Sequence, residues 1–142
     1  MNGRRIRPEL LDLADPKDAE RNLRDIVILN QTFGGHEVAR HLLRRVVRQH
    51  DRFSLLDVGA ASGDIARLIV KEYPNSQVFN IDRKALHLQP APQPKAAADA
   101  FSLPFAAASF DFVFCSLFLH HFRDDQVVYL LRCFASLAKI RA

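Results

Sequence analysis

The spacing of apolar residues changes character once along this chain, near Phe53. Ahead of that point apolar positions recur at helical intervals, and beyond it short apolar runs alternate with helical patterns. Residues 1 to about 15 read as a loosely ordered lead. Asp15-Pro16 then supplies an N-cap and a proline at a first helical position. The helix predicted there reaches about Thr32, carries Ala19, Leu23, Ile26, Val27 and Asn30 along one side, and stops at Gly34-Gly35. A second helix is predicted from about His36 to His50. Its apolar side is Val38, Leu42, Val46 and Val47, and its polar side carries Arg40, Arg44, Arg45 and Arg48.

From Phe53 onward, strands and helices alternate. A strand over Phe53–Val58 leads into a helix from Gly63 to about Tyr73, which the breaker pair Pro74-Asn75 closes. Gln77–Ile81 is predicted as a strand ending at Asp82, followed by a helix-like piece over Arg83–Leu88. Gln89-Pro-Ala-Pro-Gln-Pro94 is proline-punctuated and extended, and Lys95–Ala98 is a short strand ending at Asp99. The nearly continuous apolar run Phe110–Phe118 fits a strand covered on both faces, and a last helix spans about Asp124 to Ala138. Strands separated by helical crossovers imply an α/β fold, a parallel sheet with helices on both faces. No internal repeat is visible.

Composition narrows this picture without changing it. A length of 142 residues suits one domain, and 49% apolar residues are enough for a core. No apolar run is long enough for a membrane span, and no apolar segment comes after the basic N-terminus as a signal peptide requires. Cys115 and Cys133 both sit in apolar segments and read as reduced residues of a cytoplasmic protein. The net charge of +4 comes largely from the arginines of the second helix. No aromatic residues interleave with them, so a solvated helix face is expected rather than a nucleic-acid surface. The six histidines form no metal-ligand spacing, and no nucleophile signature appears.

The candidate chemistry begins at Leu55-Leu-Asp-Val-Gly-Ala-Ala-Ser-Gly-Asp64. A buried strand, a small-residue turn and a helix start form a corner where a nucleotide-like ligand can meet the backbone. Asp82 ends the neighbouring strand, where a carboxylate can accept ribose hydroxyls or simply cap the adjoining helix-like piece. Asp99-Ala100 ends the third strand. It can read an adenine edge with a carboxylate and an N–H, or form an Asx turn.

Taken together, Asp57-Val-Gly-Ala-Ala-Ser-Gly63, Asp82, Asp99-Ala-Phe-Ser-Leu-Pro-Phe105, Ser109-Phe-Asp-Phe-Val113 and Leu119-His-His-Phe122 resemble a class I S-adenosylmethionine-dependent methyltransferase. The likeness is greatest to the small-molecule enzymes that modify quinones and polyketides, and it covers about residues 17–138. It implies a Rossmann-like sheet of strand order 3-2-1-4, with residues 16–52 as a helical lid and 53–142 as an incomplete α/β core. It implies S-adenosylmethionine as cofactor and S-adenosylhomocysteine as product. Asp57, Gly59, Ala60, Ser62 and Gly63 would lie at its methionine end, with backbone groups of Gly59 and Ala60 in contact. Asp82 would hold the ribose, Arg83 would flank the adenine, and Asp99 with Ala100 would read its edge. Cys115 and Ser116 would floor the site near the methyl group. Ala61 replaces the family's middle glycine, which narrows the space there. A nicotinamide-type site is disfavoured because Ala61 and Asp64 stand where that fingerprint needs glycine.

Methyl transfer needs alignment, and a base only where the acceptor must lose a proton. His120 and His121, just past the fourth strand, are the candidates for that base, though packing and helix capping are the ordinary uses of such residues. Members of this class carry about three more strands after the last helix. The fourth strand is therefore expected at an edge, open to a second copy or a partner chain. The expected function is methylation of a small-molecule acceptor. The alternatives are a non-catalytic cofactor-binding or interaction domain, and an RNA methyltransferase using the Arg40–Arg48 face.

Overall fold

The computed structural model describes residues 35–139. It contains α1 (Gly35–Arg44), β1 (Phe53–Val58), α2 (Asp64–Glu72), β2 (Ser76–Asp82), β3 (Lys95–Ala97), β4 (Phe112–Cys115), a 3-10 turn (Leu119–His121) and α3 (Asp124–Leu137). The predicted lead and first helix lie outside the described residues. The four strands form one parallel sheet in the order β3-β2-β1-β4, as the alternating pattern requires.

Each face of the sheet has its own core, because successive strand residues point to opposite sides. On one face Phe53, Leu55 and Val78 pack with Ala39, Leu43 and Val47 of the α1 region and Ile65, Ala66 and Ile69 of α2. On the other, Leu56, Val58 and Ile81 pack under Leu130, Phe134 and Leu137 of α3. β1 is shared by both cores and contributes the deepest side chains, so the turn beyond it grows from the most rigid part of the molecule.

Several local expectations are corrected. α1 begins at Gly35, one residue before the predicted start, and ends at Arg44, well short of His50. Its buried positions are Ala39 and Leu43, continued beyond the helix by Val47, whereas Val38 and Leu42, and Val46 just after the helix, are about half exposed. The helix is turned by one residue from the phase that valine and leucine suggest. Arg40 fixes that phase by pairing with Glu37 and with Glu72 at the end of α2, so it does not belong to a merely solvated face. The segment after Asp82 forms turns rather than a helix-like piece.

The apolar run Phe110–Phe118 yields only the four-residue β4, and that strand is half-buried rather than covered on both faces. Asp111 accepts hydrogen bonds from the Ser54 N–H at 2.8 Å and the Ser54 hydroxyl at 3.1 Å, tying the start of β4 to β1. Phe110 instead bridges Ala138, with its N–H on Leu137 O and its carbonyl accepting from Lys139. Leu117 takes a left-handed φ of 51° and stops the strand. Among the described residues β4 has no strand on its outer side, as expected for an edge. No helix among them is long and apolar enough to cross a membrane.

Candidate functional site

The parallel strands end side by side, so the turn after β1, Asp82 and the segment after β3 converge at one edge. Gly59 and Gly63 both take left-handed backbone angles, φ 75° and 73°. Their missing side chains make room for protein rather than for a ligand. A Cβ on Gly59 would stand 2.6 Å from the Phe118 ring, and one on Gly63 would stand 2.7 Å from Pro92 and 2.9 Å from Ala91. Ala61 shares the left-handed conformation at φ 48°, so the replacement of a glycine there is tolerated with strain.

The N–H groups of Gly59 and Ala60 both donate to Ile81 O at 2.9 Å, and Gly63 donates to Ala60 O. The expected contacts from Gly59 and Ala60 therefore fall to their carbonyls, and the Ala60 carbonyl already accepts Gly63. Ser62 is buried, and its carbonyl accepts Arg67 Nη1 at 2.9 Å.

Three carboxylates, Asp57, Asp64 and Asp82, stand near one another around this turn. Asp57 lies inside β1 with 3% of its surface exposed. Burial pushes its carboxyl up to about 7, and the neighbouring charges of Asp64 and Asp82 push the same way. Beside it in register on β2, Asn80 is fully buried and its side-chain oxygen has no partner among the described residues. Asp64 opens α2 and meets His36 Nε2 of α1 at 2.8 Å. Neighbouring carboxylates and the open Asn80 oxygen suit a ligand that brings hydroxyl donors and positive charge. A nucleoside carrying a sulfonium and an ammonium meets that description.

Asp82 occupies the predicted place at the end of β2. Its Oδ2 accepts the Ala61 N–H at 3.1 Å and its Oδ1 accepts the Lys84 N–H at 3.0 Å, while His87 Nδ1 stands 3.6 Å from Oδ1. Burial alone would raise its carboxyl, but His87 and the two N–H groups outweigh burial and hold it below the ordinary carboxylate range. Arg83 comes next, exposed.

Asp99 takes the Asx-turn arrangement, its Oδ1 accepting the Phe101 N–H at 2.9 Å. Ala100 is buried behind it, and its N–H has no partner among the described residues, so one donor remains at that edge. Cys115 closes β4 opposite Val58, half-buried. Burial, and secondly the charge of Asp57, raise its thiol, so Cys115 is neutral and unsuited to nucleophilic attack. Ser116 stands just after it. His120 and His121 stack in the 3-10 turn with ring centroids 4.3 Å apart, beyond the end of β4.

Sequence reasoning missed His36, Asn80, His87 and Phe118. Asn80 alone left a signal, a polar residue inside an otherwise apolar strand. The described residues contain no group of His, Cys, Asp and Glu side chains that could hold a metal ion.

Comparison with known proteins bears on this arrangement. The methyltransferase-domain family matches residues 56–139, more than half of the chain. A malonyl-[acyl-carrier protein] O-methyltransferase of Xylella fastidiosa (strain M23) is 34% identical over 104 residues, covering 66% of this chain and 35% of its own. The chain thus spans about a third of that relative's length. Among solved structures, a Methanococcus maripaludis protein classed with the S-adenosyl-L-methionine-dependent methyltransferases matches 94% of this chain and 62% of its own at a TM-score of 0.69 and 12% identity. A SAM-dependent methyltransferase from Aquifex aeolicus matches 89% and 68% at 0.64 and 16% identity. At such identities these two speak for the fold alone. With the fold, the acceptor-rich turn and the match over residues 56–139 in agreement, the chain belongs to the methyltransferase-domain family of class I fold, whose cofactor is S-adenosylmethionine.

Proposed function

We propose that this domain binds S-adenosylmethionine across the ends of β1, β2 and β3 and passes its methyl group to a small-molecule acceptor approaching past β4. The observation that carries the reading is Asp82, fixed at the end of β2 beside a glycine turn near the further carboxylates of Asp57 and Asp64. Asp57 and the turn from Gly59 through Ala60 and Ser62 to Gly63 face the methionine end, where Asp57 offsets positive charge. Asp82 takes the ribose. Arg83 flanks the adenine, and Asp99 with the open Ala100 N–H reads its edge. Cys115 and Ser116 floor the site.

The bound cofactor supplies a methyl group on a sulfonium, which leaves as the thioether S-adenosylhomocysteine when the acceptor forms its new bond to carbon. This chain aligns the two partners and excludes water. His120 or His121 takes the proton of a hydroxyl acceptor. Calorimetry on the whole chain with S-adenosylmethionine and S-adenosylhomocysteine tests the reading, and silence with both ligands sinks it.

A carboxylate acceptor is a second reading, favoured by the malonyl substrate in the name of the Xylella relative. A carboxylate has no proton to lose. His120→Ala and His121→Ala then leave its methylation rate within about twofold, whereas for a phenolic acceptor loss of the base costs about a hundredfold.

A further inference from the structure

Asp82 is held on three sides before any ligand arrives. A carboxylate offers about four lone-pair positions. The Lys84 N–H and the His87 imidazole cover Oδ1, the Ala61 N–H covers one position on Oδ2, and one position on Oδ2 stays open. His87 is 5% exposed, so bulk water does not compete for that side. The 3.6 Å separation is long for a hydrogen bond. In this state the imidazole acts by occupying the space into which the carboxylate would otherwise rotate.

The place of His87 is built by the fold. It sits in the connection between β2 and β3, whose carbonyls are tied down by side chains from three elements. Lys95 Nζ donates to Leu88, Gln89 and Ala91 at 2.8–2.9 Å. Asn80 Nδ2 donates to Pro92 at 3.0 Å, and Arg67 Nη1 joins Pro90 at 3.0 Å to Ser62 of the glycine turn. Leu88 and Ala91 pack on Ala60, and Ala91 and Pro92 close over Gly63. The connection that carries His87 is therefore fastened to the turn that lies beside Asp82.

Because the cofactor reading places a ribose at Asp82, we propose that His87 is a positioning residue that fixes the Asp82 carboxylate with its open Oδ2 presented to a ribose hydroxyl; this rests on that reading. His87 does not itself touch the ligand. Its loss lets the carboxylate rotate, and the cost falls on ligands that carry the hydroxyl.

The test measures binding of S-adenosylhomocysteine and of its 2′-deoxy and 3′-deoxy analogues to wild type, His87→Asn and His87→Leu. The contact is made by Nδ1, which Asn replaces with an amide N–H on the same carbon and Leu replaces with a methyl group. Wild type is expected to favour S-adenosylhomocysteine over the weaker analogue by about tenfold, the size of one charge-assisted hydrogen bond. His87→Asn keeps that ratio within about threefold, and His87→Leu lowers it below about twofold while holding the analogues near their wild-type affinity. A Leu variant that keeps the wild-type ratio, or that weakens all three ligands in parallel, overturns the proposal. Should the Leu variant unfold, His87→Gln carries the test, because its amide reproduces the place of Nε2 rather than of Nδ1 and the ratio must again fall. Wild type that binds none of the three overturns the cofactor reading itself, before any substitution is considered.

Discussion

β2 and β4 flank the same strand and end very differently. β2 pairs with β1 from Phe53–Ser76 to Val58–Ile81, its residues Asn80 and Ile81 are buried, and Asp82 at its tip is held by neighbours on both oxygens. β4 pairs over four residues, all half-buried, and ends in Ser116 and a Leu117 that is 63% exposed. On the β2 side the chain completes its own site, through Arg67, Asn80 and Lys95 on the connection and His87 on Asp82. On the β4 side the described residues leave the acceptor's surroundings open. On the proposed reading the methyl donor meets a part of the fold braced by its own side chains, and the acceptor meets the less buried β4 side.

The sharpest way to break that contrast is through Asp57. Its carboxyl stands at about 7 in the folded protein against 3.8 without burial, so the folded state binds this proton more tightly than the unfolded chain does. Its contribution to stability is therefore largest below about pH 4, falls as pH rises to about 7, and is constant above. At about 1.4 kcal/mol per pH unit the ceiling is ~4 kcal/mol. Urea unfolding at pH 5 and pH 8 should show that Asp57→Asn lacks this part of the decline and is more stable than wild type at pH 8. Equal slopes in both proteins would mean that the β2 side is not poised for a cation.

Backbone fit comes next. Gly63→Ala forces a side chain onto φ 73° and into Pro92 and Ala91, and should cost ~2–3 kcal/mol in denaturant unfolding. The matched change beyond β4, Ser116→Ala, should cost under ~0.5 kcal/mol. Similar costs at the two positions would erase the difference between the strands. Asp82→Ala should then weaken S-adenosylmethionine by ~1–2 kcal/mol, read by calorimetry, and cost ~1–2 kcal/mol of stability because the Ala61 and Lys84 N–H groups lose their acceptor.

These residues also mark how far local patterning carries. Strand order, the turn after β1 and Asp82 at a strand end are all legible in alternation and spacing, which act over a few residues. What fills the space at Gly59 and Gly63 is not, because Phe118 and Pro92 arrive from distant segments. The phase of α1 is hidden for a related reason. Valine and leucine lie on both candidate stripes, and the choice is made by Glu72 and the α2 surface, which periodicity within α1 does not encode. His87 left no signal either, since a single histidine in a turn acquires its meaning only from the carboxylate it meets.

Leu117 gives the smallest effect and the most direct reading of the open side. A leucine at φ 51° costs ~1–2 kcal/mol in backbone strain, and its exposure means that little burial is gained in return. Glycine relieves the strain but loses ~0.5–1 kcal/mol of unfolded-chain entropy. Leu117→Gly should therefore stabilise the domain by ~0.5 kcal/mol, measured by denaturant unfolding, and leave cofactor affinity unchanged. A loss of more than ~1 kcal/mol would mean that Leu117 packs against the fold and that the β4 side is more complete than its exposure indicates. A gain in stability accompanied by slower methyl transfer would give the strain a use. That outcome would assign Leu117, exposed just after β4 and Ser116, to the acceptor rather than to the donor.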